Sequence, residues 1–379
     1  MISKRASKFT SFIVMDVMAK AEELERRGEN VIHMEVGEPD FPTPKVITRA
    51  AKEALSKNKT RYTHALGLLE LRQAICDFYL KEYGVKITPD QVMISTGTSP
   101  ALLFAMLAIL DHGDEVIISN PRYPCYQNFI LATGGNAKDV KTYPEEWFQY
   151  RPKDIKKKLS HRTKAILINS PSNPTGIVMT KKQLQNVAQF EKQYIISDEI
   201  YHGLVYKDRA HSILEFTDKA FVINGFSKLY AMTGWRLGYC IFPKEFSKVM
   251  QRIHQNFIIS ANSFIQWAGI AALTKAQKDV AKMVKIYDER RKYMLARLTD
   301  MGFVIHVEPT GAFYVFADAR HFCKDSYKEA FRITEEVKVG VTPWIDFGSG
   351  GEGFLRFSYA NSLENIKEGL NRLERYLNK

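Results

Sequence analysis

Cysteine is scarce in this 379-residue chain, and long hydrophobic runs are missing from it. The four cysteines, Cys76, Cys125, Cys240 and Cys323, lie far apart, with neither C-x-x-C spacing nor histidines clustered near them. This distribution argues against a disulfide framework and against a zinc site. No apolar run reaches the roughly 20 residues of a membrane span, and the basic start of the chain leads into polar residues rather than into a signal-peptide core. We therefore expect a cytoplasmic protein with no membrane partner.

Repeats, linkers and low-complexity segments are also absent, which excludes a solenoid or a disordered chain. What the sequence does have is an ordinary globular composition, with 45% hydrophobic residues. A chain of this length can bury a large core, and we expect it to form two domains.

The net charge of +12 raises the possibility of a nucleic-acid partner. Most of the lysines, however, stand beside glutamates in helical stretches such as 181–192 and 275–297, a pattern typical of a solvated helix face. A positive cleft would also attract anionic small molecules. We therefore expect no nucleic-acid partner.

Short β-branched runs alternate with longer amphipathic stretches between about Arg49 and Ala276. The runs begin near positions 92, 115, 164, 194, 220 and 237. Runs that are apolar on both sides suit strands covered by helices on both faces, so the pattern predicts a mostly parallel sheet. Ligands of such sheets lie at the carboxyl ends of the strands. Asn173, Asp198 and Lys228 each follow or end a predicted strand, and we expect them to converge on one crevice.

The two ends of the chain have a different pattern. A charged amphipathic stretch from about 277 to 301 predicts a long helix, which is followed by a smaller α+β unit and a last helix from Leu363. A helix predicted over Val17–Arg27 has no sheet partner nearby in sequence and is expected to pack on that unit. We thus predict a large domain over 46–284 and a small domain formed by 1–45 and 285–379.

The most informative residues lie in three neighbouring motifs. Lys228 stands within NGFSKLYAMTGWRLGY, SDEIY begins at Ser197, and NPTG begins at Asn173. Together they supply an amine that can form a Schiff base, a buried carboxylate, a phenol and an arginine. Pyridoxal phosphate chemistry needs this set of groups.

Over nearly its whole length the chain resembles the class I/II aminotransferases, which are fold type I pyridoxal 5'-phosphate enzymes. The motifs that carry the resemblance occur in the family's order: VGEPDFPTP, RYTHALGLLELR, STGTSPAL, NPRYPCY, NSPSNPTG, SDEIY, the Lys228 run, GAFYVF and LRFSYA. The resemblance implies an α/β fold, with a large cofactor-binding domain and a smaller domain that closes on the substrate. It implies transfer of the amino group of an L-amino acid to a 2-oxo acid by a ping-pong mechanism.

The resemblance also assigns roles around the cofactor ring. Lys228 would hold pyridoxal 5'-phosphate as a Schiff base and then move the α-proton of the substrate. Asp198 would pair with the pyridine nitrogen, and Tyr123 would stack on the ring. Asn173 and Tyr201 would both donate to the phenolic oxygen of the cofactor.

The cofactor phosphate would be held by several groups at once. These are the amides of Thr98 and Ser99 at the start of a helix expected near Pro100, the hydroxyl of Ser227 and the guanidinium of Arg236.

Two further features concern the phosphate. Tyr62 would reach the phosphate of the neighbouring subunit, which implies a homodimer with shared active sites. Gly225 departs from relatives that place a second phosphate-binding serine three residues before the lysine.

Arg356 is the expected clamp for the substrate α-carboxylate, because a planar guanidinium matches a carboxylate with two parallel hydrogen bonds. Gly37 would let the backbone approach the same carboxylate. Asn173 would contact the substrate as well.

Three features indicate neutral amino donors, aliphatic or aromatic, over acidic ones. Ser99 occupies a position that can carry a lysine, and the segment expected to cover the site, residues 12–14, is apolar. Trp344 replaces a usual glycine, and we expect its indole to lie beside the pocket and either narrow it or give it an aromatic wall. Recognition of acidic donors stays open, through a partner-subunit cation, Arg122 or His254.

Two other functions use the same fold. C–S β-lyases and decarboxylases share the lysine and the phosphate groups, and nothing local separates them from transaminases. Aminotransferase-like domains also act as ligand sensors in transcription regulators with an N-terminal DNA-binding domain. Here we expect the first residues to form the first helix of the enzyme itself.

Overall fold

The computed structural model describes residues 2–349 and 352–379. Helices and strands alternate over most of the chain. The helices are α1 Ile13–Arg26, α2 Lys45–Ser56, α3 Leu69–Tyr83, α4 Thr98–Ile109, α5 Tyr126–Ala132, α6 Pro152–Lys158, α7 Lys181–Ala188, α8 Ser247–Phe257, α9 Ser263–Lys275, α10 Gln277–Asp300, α11 Ser326–Arg332 and α12 Leu363–Leu377. The strands are β1 Ile32–His33, β2 Val92–Ser95, β3 Glu115–Asn120, β4 Asn136–Lys141, β5 Thr163–Asn169, β6 Tyr194–Asp198, β7 Ala220–Gly225, β8 Gly238–Ile241, β9 Tyr314–Asp318, β10 Val339–Gly340, β11 Thr342–Pro343 and β12 Phe354–Ser358.

A seven-stranded sheet with the order β2-β8-β7-β6-β5-β3-β4 forms the centre of the molecule. Strand β8 runs antiparallel to both of its neighbours, whereas the other pairings are parallel. The prediction of a mostly parallel sheet is confirmed.

Both faces of this sheet are covered by helices, because its central strands are apolar on both sides. In β7, Val222 packs into a core shared with residues of α2, α3 and α9. Its neighbours Phe221 and Ile223 point to the opposite face, into a core shared with α4 and α8. The two-residue period of a strand thus supplies two separate cores from one continuous apolar run.

Strand β4 escaped the sequence prediction. Its sequence, NAKDVK, is mostly polar, and of its residues only Val140 is buried. The strand lies at the edge of the sheet beside β3, so one side of it faces solvent. An edge strand needs no apolar run, and for this reason the hydrophobic pattern did not reveal it.

The two ends of the chain meet in a second group of elements. Strands β11, β12 and β9 form an antiparallel sheet, and β1 pairs with β10 in parallel, with Ile32 opposite Val339. Apolar residues of α10 and α12 pack in the same core as these strands. The domain boundaries at 46 and 284 stay a prediction.

Helix α10 agrees with the predicted long helix, and α12 begins at Leu363 as predicted. Helix α1 begins at Ile13, four residues before the predicted Val17. The reason is a tertiary contact, because the carboxylate of Asp346 accepts hydrogen bonds from the amides of Ile13 and Val14. Among the described residues, no helix has the length and apolarity needed to cross a membrane.

Candidate active site

A cavity of about 280 Å³ opens at the carboxyl ends of β5, β6 and β7. Asn169 ends β5, Asp198 ends β6, and Ser227 and Lys228 follow β7. The cavity brings together all but one of the predicted site residues: Gly37, Thr98, Ser99, Tyr123, Asn173, Asp198, Tyr201, Ser227, Lys228, Arg236 and Arg356. The convergence expected from the sheet topology is therefore present.

Lys228 projects into the cavity from the segment after β7. Its Nζ donates to the carbonyl oxygen of Gly37 at 2.6 Å. Desolvation in the cavity lowers the pKa of the amine to about 8. The neutral amine, which is the form that attacks a carbonyl carbon, is therefore far more populated near neutral pH than in a solvent-exposed lysine.

Asp198 is buried in the wall of the same cavity. Its Oδ2 accepts a hydrogen bond from the hydroxyl of Tyr126 at 2.7 Å, and its Oδ1 accepts from the amide of Ile200 at 3.2 Å. Burial raises the pKa of the carboxyl group to about 6, although both hydrogen bonds act in the opposite direction. A buried carboxylate of this kind is stabilised by a cation placed against it.

Two tyrosines meet on the other side of the cavity. The hydroxyl groups of Tyr201 and Tyr314 lie 2.7 Å apart. Burial raises the pKa of Tyr201 well above its ordinary value, so the phenol keeps its proton. It is therefore able to donate to an oxygen that enters the cavity.

The opposite end of the cavity has the character of an anion site. Helix α4 begins at Thr98, two residues before the expected Pro100, so the Thr98 and Ser99 amides lie in its first turn. A Cβ atom on Gly97 would lie 2.5 Å from an Arg236 guanidinium nitrogen, which shows how closely this arginine crosses the helix start. Ser227 lines the same end. Free amides, a hydroxyl and a guanidinium are the groups that bind phosphate.

The surroundings of Gly225 leave little room for a side chain. A Cβ atom there would lie 3.0 Å from Gly238 Cα and 3.3 Å from Thr98 Cγ2. A serine at this position would need the neighbouring backbone to move. The departure from relatives with a serine thus has a steric cause.

Arg356 on β12 reaches the cavity from the chain's far end and is 2% exposed. Its guanidinium donates to Asn173 Oδ1 at 2.8 Å, to Thr342 Oγ1 at 3.0 Å and to the carbonyl of Glu35. It also stacks over the Tyr314 ring, 4.3 Å from the centroid. Hydrogen bonds and stacking therefore fix the direction of the guanidinium.

Gly37 lies against the same tyrosine. A Cβ atom on this residue would stand 1.7 Å from the Tyr314 hydroxyl, so glycine is required here for steric reasons.

Tyr62 is the predicted site residue that does not line the cavity. Its side chain is 81% exposed. Its assigned role concerns a neighbouring subunit and stays a prediction.

The expectation for Trp344 is wrong. The indole does not line the cavity. It stacks on Phe316 with ring centroids 4.9 Å apart and packs against Phe354, in an aromatic cluster that also contains Phe347. Its effect on the cavity is indirect, through Phe347 of the same cluster, whose ring centroid lies 5.1 Å from the Arg356 guanidinium.

The sequence analysis missed Tyr126 and Tyr314 as site residues. Both lie inside motifs that carried the family resemblance, NPRYPCY and GAFYVF. Tyr126 is the first residue of α5, and its ring centroid lies 5.3 Å from that of Tyr123, which also lines the cavity. Tyr314 is the first residue of β9, in the small domain that is expected to close on the substrate. Its place in that domain is the signal that could have revealed it as a site residue.

The fold and the cavity together define an enzyme of the fold type I class. The family model described as aminotransferase class I and II matches residues 29–373. The chain belongs to this family, whose members depend on pyridoxal 5'-phosphate.

Relatives match the chain over its full length. A (5-formylfuran-3-yl)methyl phosphate transaminase of Methanocaldococcus jannaschii is 45% identical over 383 residues and covers 100% of both chains. An aspartate aminotransferase of Thermotoga maritima is 39% identical over 384 residues, again with 100% of both chains covered. The structure of Thermus thermophilus aspartate aminotransferase with maleate superposes with a TM-score of 0.95 at 37% identity and 99% coverage of each chain. The chain is thus an aminotransferase, and these relatives lend no support to the C–S β-lyase alternative.

The residues of the cavity fit the cofactor of this family. Asp198 is a buried carboxylate suited to a cation, Lys228 presents an amine of lowered pKa, and the α4 start with Arg236 suits a phosphate. In the part of the chain that the structure describes, Arg356 Nε has no hydrogen-bond partner, so it is free to donate to a bound carboxylate.

Proposed function

We propose that this aminotransferase binds pyridoxal 5'-phosphate through Lys228 and transfers amino groups from neutral L-amino acids with apolar side chains. The observation that carries the proposal is the Lys228 amine, whose pKa of about 8 is set by its cavity and which shares that cavity with Asp198, Arg236 and Arg356.

The bound cofactor would supply an electron sink for the carbanion at the substrate's α-carbon. Asp198 would hold the pyridine nitrogen in its protonated form. Tyr201 and Asn173 would donate to the phenolic oxygen. Thr98, Ser99, Ser227 and Arg236 would bind the phosphate, and Tyr123 would pack on the ring.

The remaining residues would handle the substrate. Arg356 would bind the α-carboxylate with two parallel hydrogen bonds, next to Gly37 and Asn173, and so orient the α-carbon toward Lys228. Lys228 Nζ would take the proton from that α-carbon and then donate it to a carbon atom of the cofactor.

The donor class is inferred from the lining of the cavity. Its cationic side chains within this chain are Lys228, Arg236 and Arg356, each of which has a task above. The wall formed by the start of α1 is apolar, with Phe12, Val14 and Met15. Neither Arg122 nor His254 lines the cavity: Arg122 pairs with Asp139, and burial lowers the pKa of His254 to about 4. A neutral, apolar side chain suits these surroundings.

A second candidate acceptor is an aldehyde that carries a phosphate. The 45% identical relative is named for such a compound, (5-formylfuran-3-yl)methyl phosphate. The guanidinium of Arg356 offers a phosphate the same paired donors as a carboxylate.

Shared sites in a homodimer are proposed on the basis of the surface around Tyr62. The loop that contains Tyr62 is joined to a second loop by a hydrogen bond from Thr63 N to Ser260 Oγ. Apolar side chains in and just before the second loop are exposed: Phe257 is 64% exposed and Ile259 is 51% exposed. A face of this kind is typical of an interface between subunits. A location in the cytoplasm stays a prediction.

The first experiment mixes cofactor-loaded protein with one donor at a time and no acceptor, and follows the visible absorbance of the cofactor. Leucine and phenylalanine should bleach the visible band faster than aspartate. A 2-oxo acid or the phosphorylated aldehyde, added next, should restore the band, and the faster of the two is the preferred acceptor. Restoration of the band without any acceptor would contradict transamination.

Lys228→Ala should abolish turnover while the protein still binds the cofactor, as measured by equilibrium dialysis. Mixing Lys228→Ala subunits with Tyr62→Phe subunits then tests the shared sites. In the hybrid, one site combines an intact Lys228 with an intact Tyr62 from the other subunit, so this site should regain wild-type cofactor affinity. Failure to regain it would refute the shared site, and turnover by Lys228→Ala would refute the role of the lysine.

A further inference from the structure

Asp346 connects the second sheet region to the first helix of the chain. It lies in the single turn Trp344–Phe347 that follows β11, and it is 7% exposed. Its Oδ1 accepts from the amide of Ile13 at 2.9 Å and its Oδ2 accepts from the amide of Val14 at 3.2 Å. These are the first two amides of α1, which have no partner inside the helix. The carboxylate therefore serves as an N-cap supplied from more than 300 residues away in sequence.

The helix start held in this way is part of the cavity. Phe12, Val14 and Met15 line it. The ring of Phe12 meets the ring of Tyr123 edge to face, with centroids 5.6 Å apart. The position of these side chains depends on where α1 begins, and Asp346 fixes that point.

The other hydrogen bonds between residues 5–11 and the rest of the molecule are exposed to solvent, including one from Arg5 to the carbonyl of Ala132. Thr10 bonds to Asn128 through contacts of 3.3–3.4 Å and to Gln127 at 2.9 Å, all of them exposed to solvent. Ser11 bonds to Asp16 within the segment itself, so this contact does not attach the segment to the rest of the molecule. Among the described residues, Asp346 provides the buried attachment.

The same turn also contacts the group expected to hold the substrate carboxylate. The ring of Phe347, next to Asp346, packs against the Arg356 guanidinium, and its carbonyl accepts from the Arg122 amide at 2.9 Å. One rigid turn thus sets both the apolar wall and one support of Arg356.

We propose that Asp346 is a specificity-determining positioning residue, which holds the start of α1 over the cavity and thereby sets the preference for amino donors with large apolar side chains. This inference rests on the proposed function, because it assumes that the donor's side chain lies against this wall.

The test compares Asp346→Ala and Asp346→Asn with the wild type, using alanine, leucine and phenylalanine as donors. Asparagine keeps the volume of the side chain but offers one oxygen instead of two. In Asp346→Ala the KM for leucine and phenylalanine should rise about tenfold, whereas the KM for alanine, whose methyl group is too short to reach the wall, should change less than twofold. The kcat values should change less than twofold, and Asp346→Asn should lie between the wild type and Asp346→Ala.

Asp325→Asn is the matched control. Asp325 caps α11 by accepting from the amide of Lys328 at 3.0 Å, and it does not line the cavity. The control variant should leave all three KM values unchanged.

Hydrogen exchange gives a readout that is independent of activity. Without substrate, the amides of residues 13–17 should exchange faster in Asp346→Ala, while those of α12 should not change.

An equal rise in KM for all three donors, a loss of kcat for all of them, or unchanged exchange at residues 13–17 would overturn the inference. Failure of the proposed function looks different, because the wild-type cofactor band would then not respond to any amino acid.

Discussion

Arg356→Lys probes the proposed carboxylate clamp. The guanidinium has five N–H groups, of which three bond to Asn173, to Thr342 and to the Glu35 carbonyl, so two are left for the substrate. Lysine offers one ammonium group on a flexible stem, so it replaces a paired contact with a single one. One charge-assisted hydrogen bond is worth about 1.5–3 kcal/mol. Its loss corresponds to a fall in kcat/KM of about 10- to 150-fold.

The assay compares alanine with ethylamine, which has the same skeleton without the carboxylate. In the variant, kcat/KM for alanine should fall by this factor, whereas the value for ethylamine should change little. Arg290→Lys serves as the control, because Arg290 makes a partly buried paired contact with Asp40, with N···O distances of 2.7 and 2.9 Å, and neither residue lines the cavity. The reasoning is refuted if Arg356→Lys reduces both substrates equally, or if alanine loses less than threefold.

Two further predictions concern Gly37, which lines the cavity, and His33 on β1, which does not. Gly37→Ala would place a Cβ atom 1.7 Å from the Tyr314 hydroxyl and displace this hydroxyl from Tyr201. We expect kcat/KM to fall at least tenfold and the free energy of unfolding to fall by about 1–3 kcal/mol. Wild-type kinetics and an unchanged denaturation midpoint would contradict this prediction. The hydrogen bond between His33 and Glu35 raises the pKa of His33 from 6.5 to about 9, so its stabilisation is full below pH 6.5 and is lost as the pH rises through 9. Because a third of the His33 side chain is exposed, we expect His33→Gln to lower the free energy of unfolding in urea by only about 1–2 kcal/mol at pH 6 and by almost nothing at pH 10. An equal loss at both pH values would exclude the linkage.

Much of the fold could be predicted because its central strands are apolar on both faces. Strands β2, β3 and β5 to β8 were each predicted from an apolar run. The residues that follow the parallel strands β5, β6 and β7 converge because parallel strands end at one edge of the sheet. Lys228 and Asp198 were found from this rule together with the family motifs. The polar edge strand β4 lacks such a signal.

What the sequence did not reveal depends on contacts between distant segments. Helix α1 begins at Ile13 because of a carboxylate that arrives from Asp346, and local capping residues give no hint of it. The Trp344 indole points away from the cavity because it packs with three other aromatic rings. A substitution at a motif position indicates that the site differs from that of the relatives. The direction in which the new side chain points is decided by the packing of the residues around it.

The pairing of the chain's two ends has a consequence for synthesis on the ribosome. Arg356 bonds to the carbonyl of Glu35 across 321 positions, and β2 finds its partner β8 only about 140 residues later. Until most of the polypeptide has emerged, β2 in the nascent chain therefore lacks its partner strand and α1 lacks the cap from Asp346. A ribosome stalled before β12 would hold a chain that already contains Lys228 but still lacks Arg356, the residue proposed to receive the substrate carboxylate. The groups proposed to hold the cofactor phosphate, the start of α4 and Arg236, are thus made well before the arginine proposed to select the substrate.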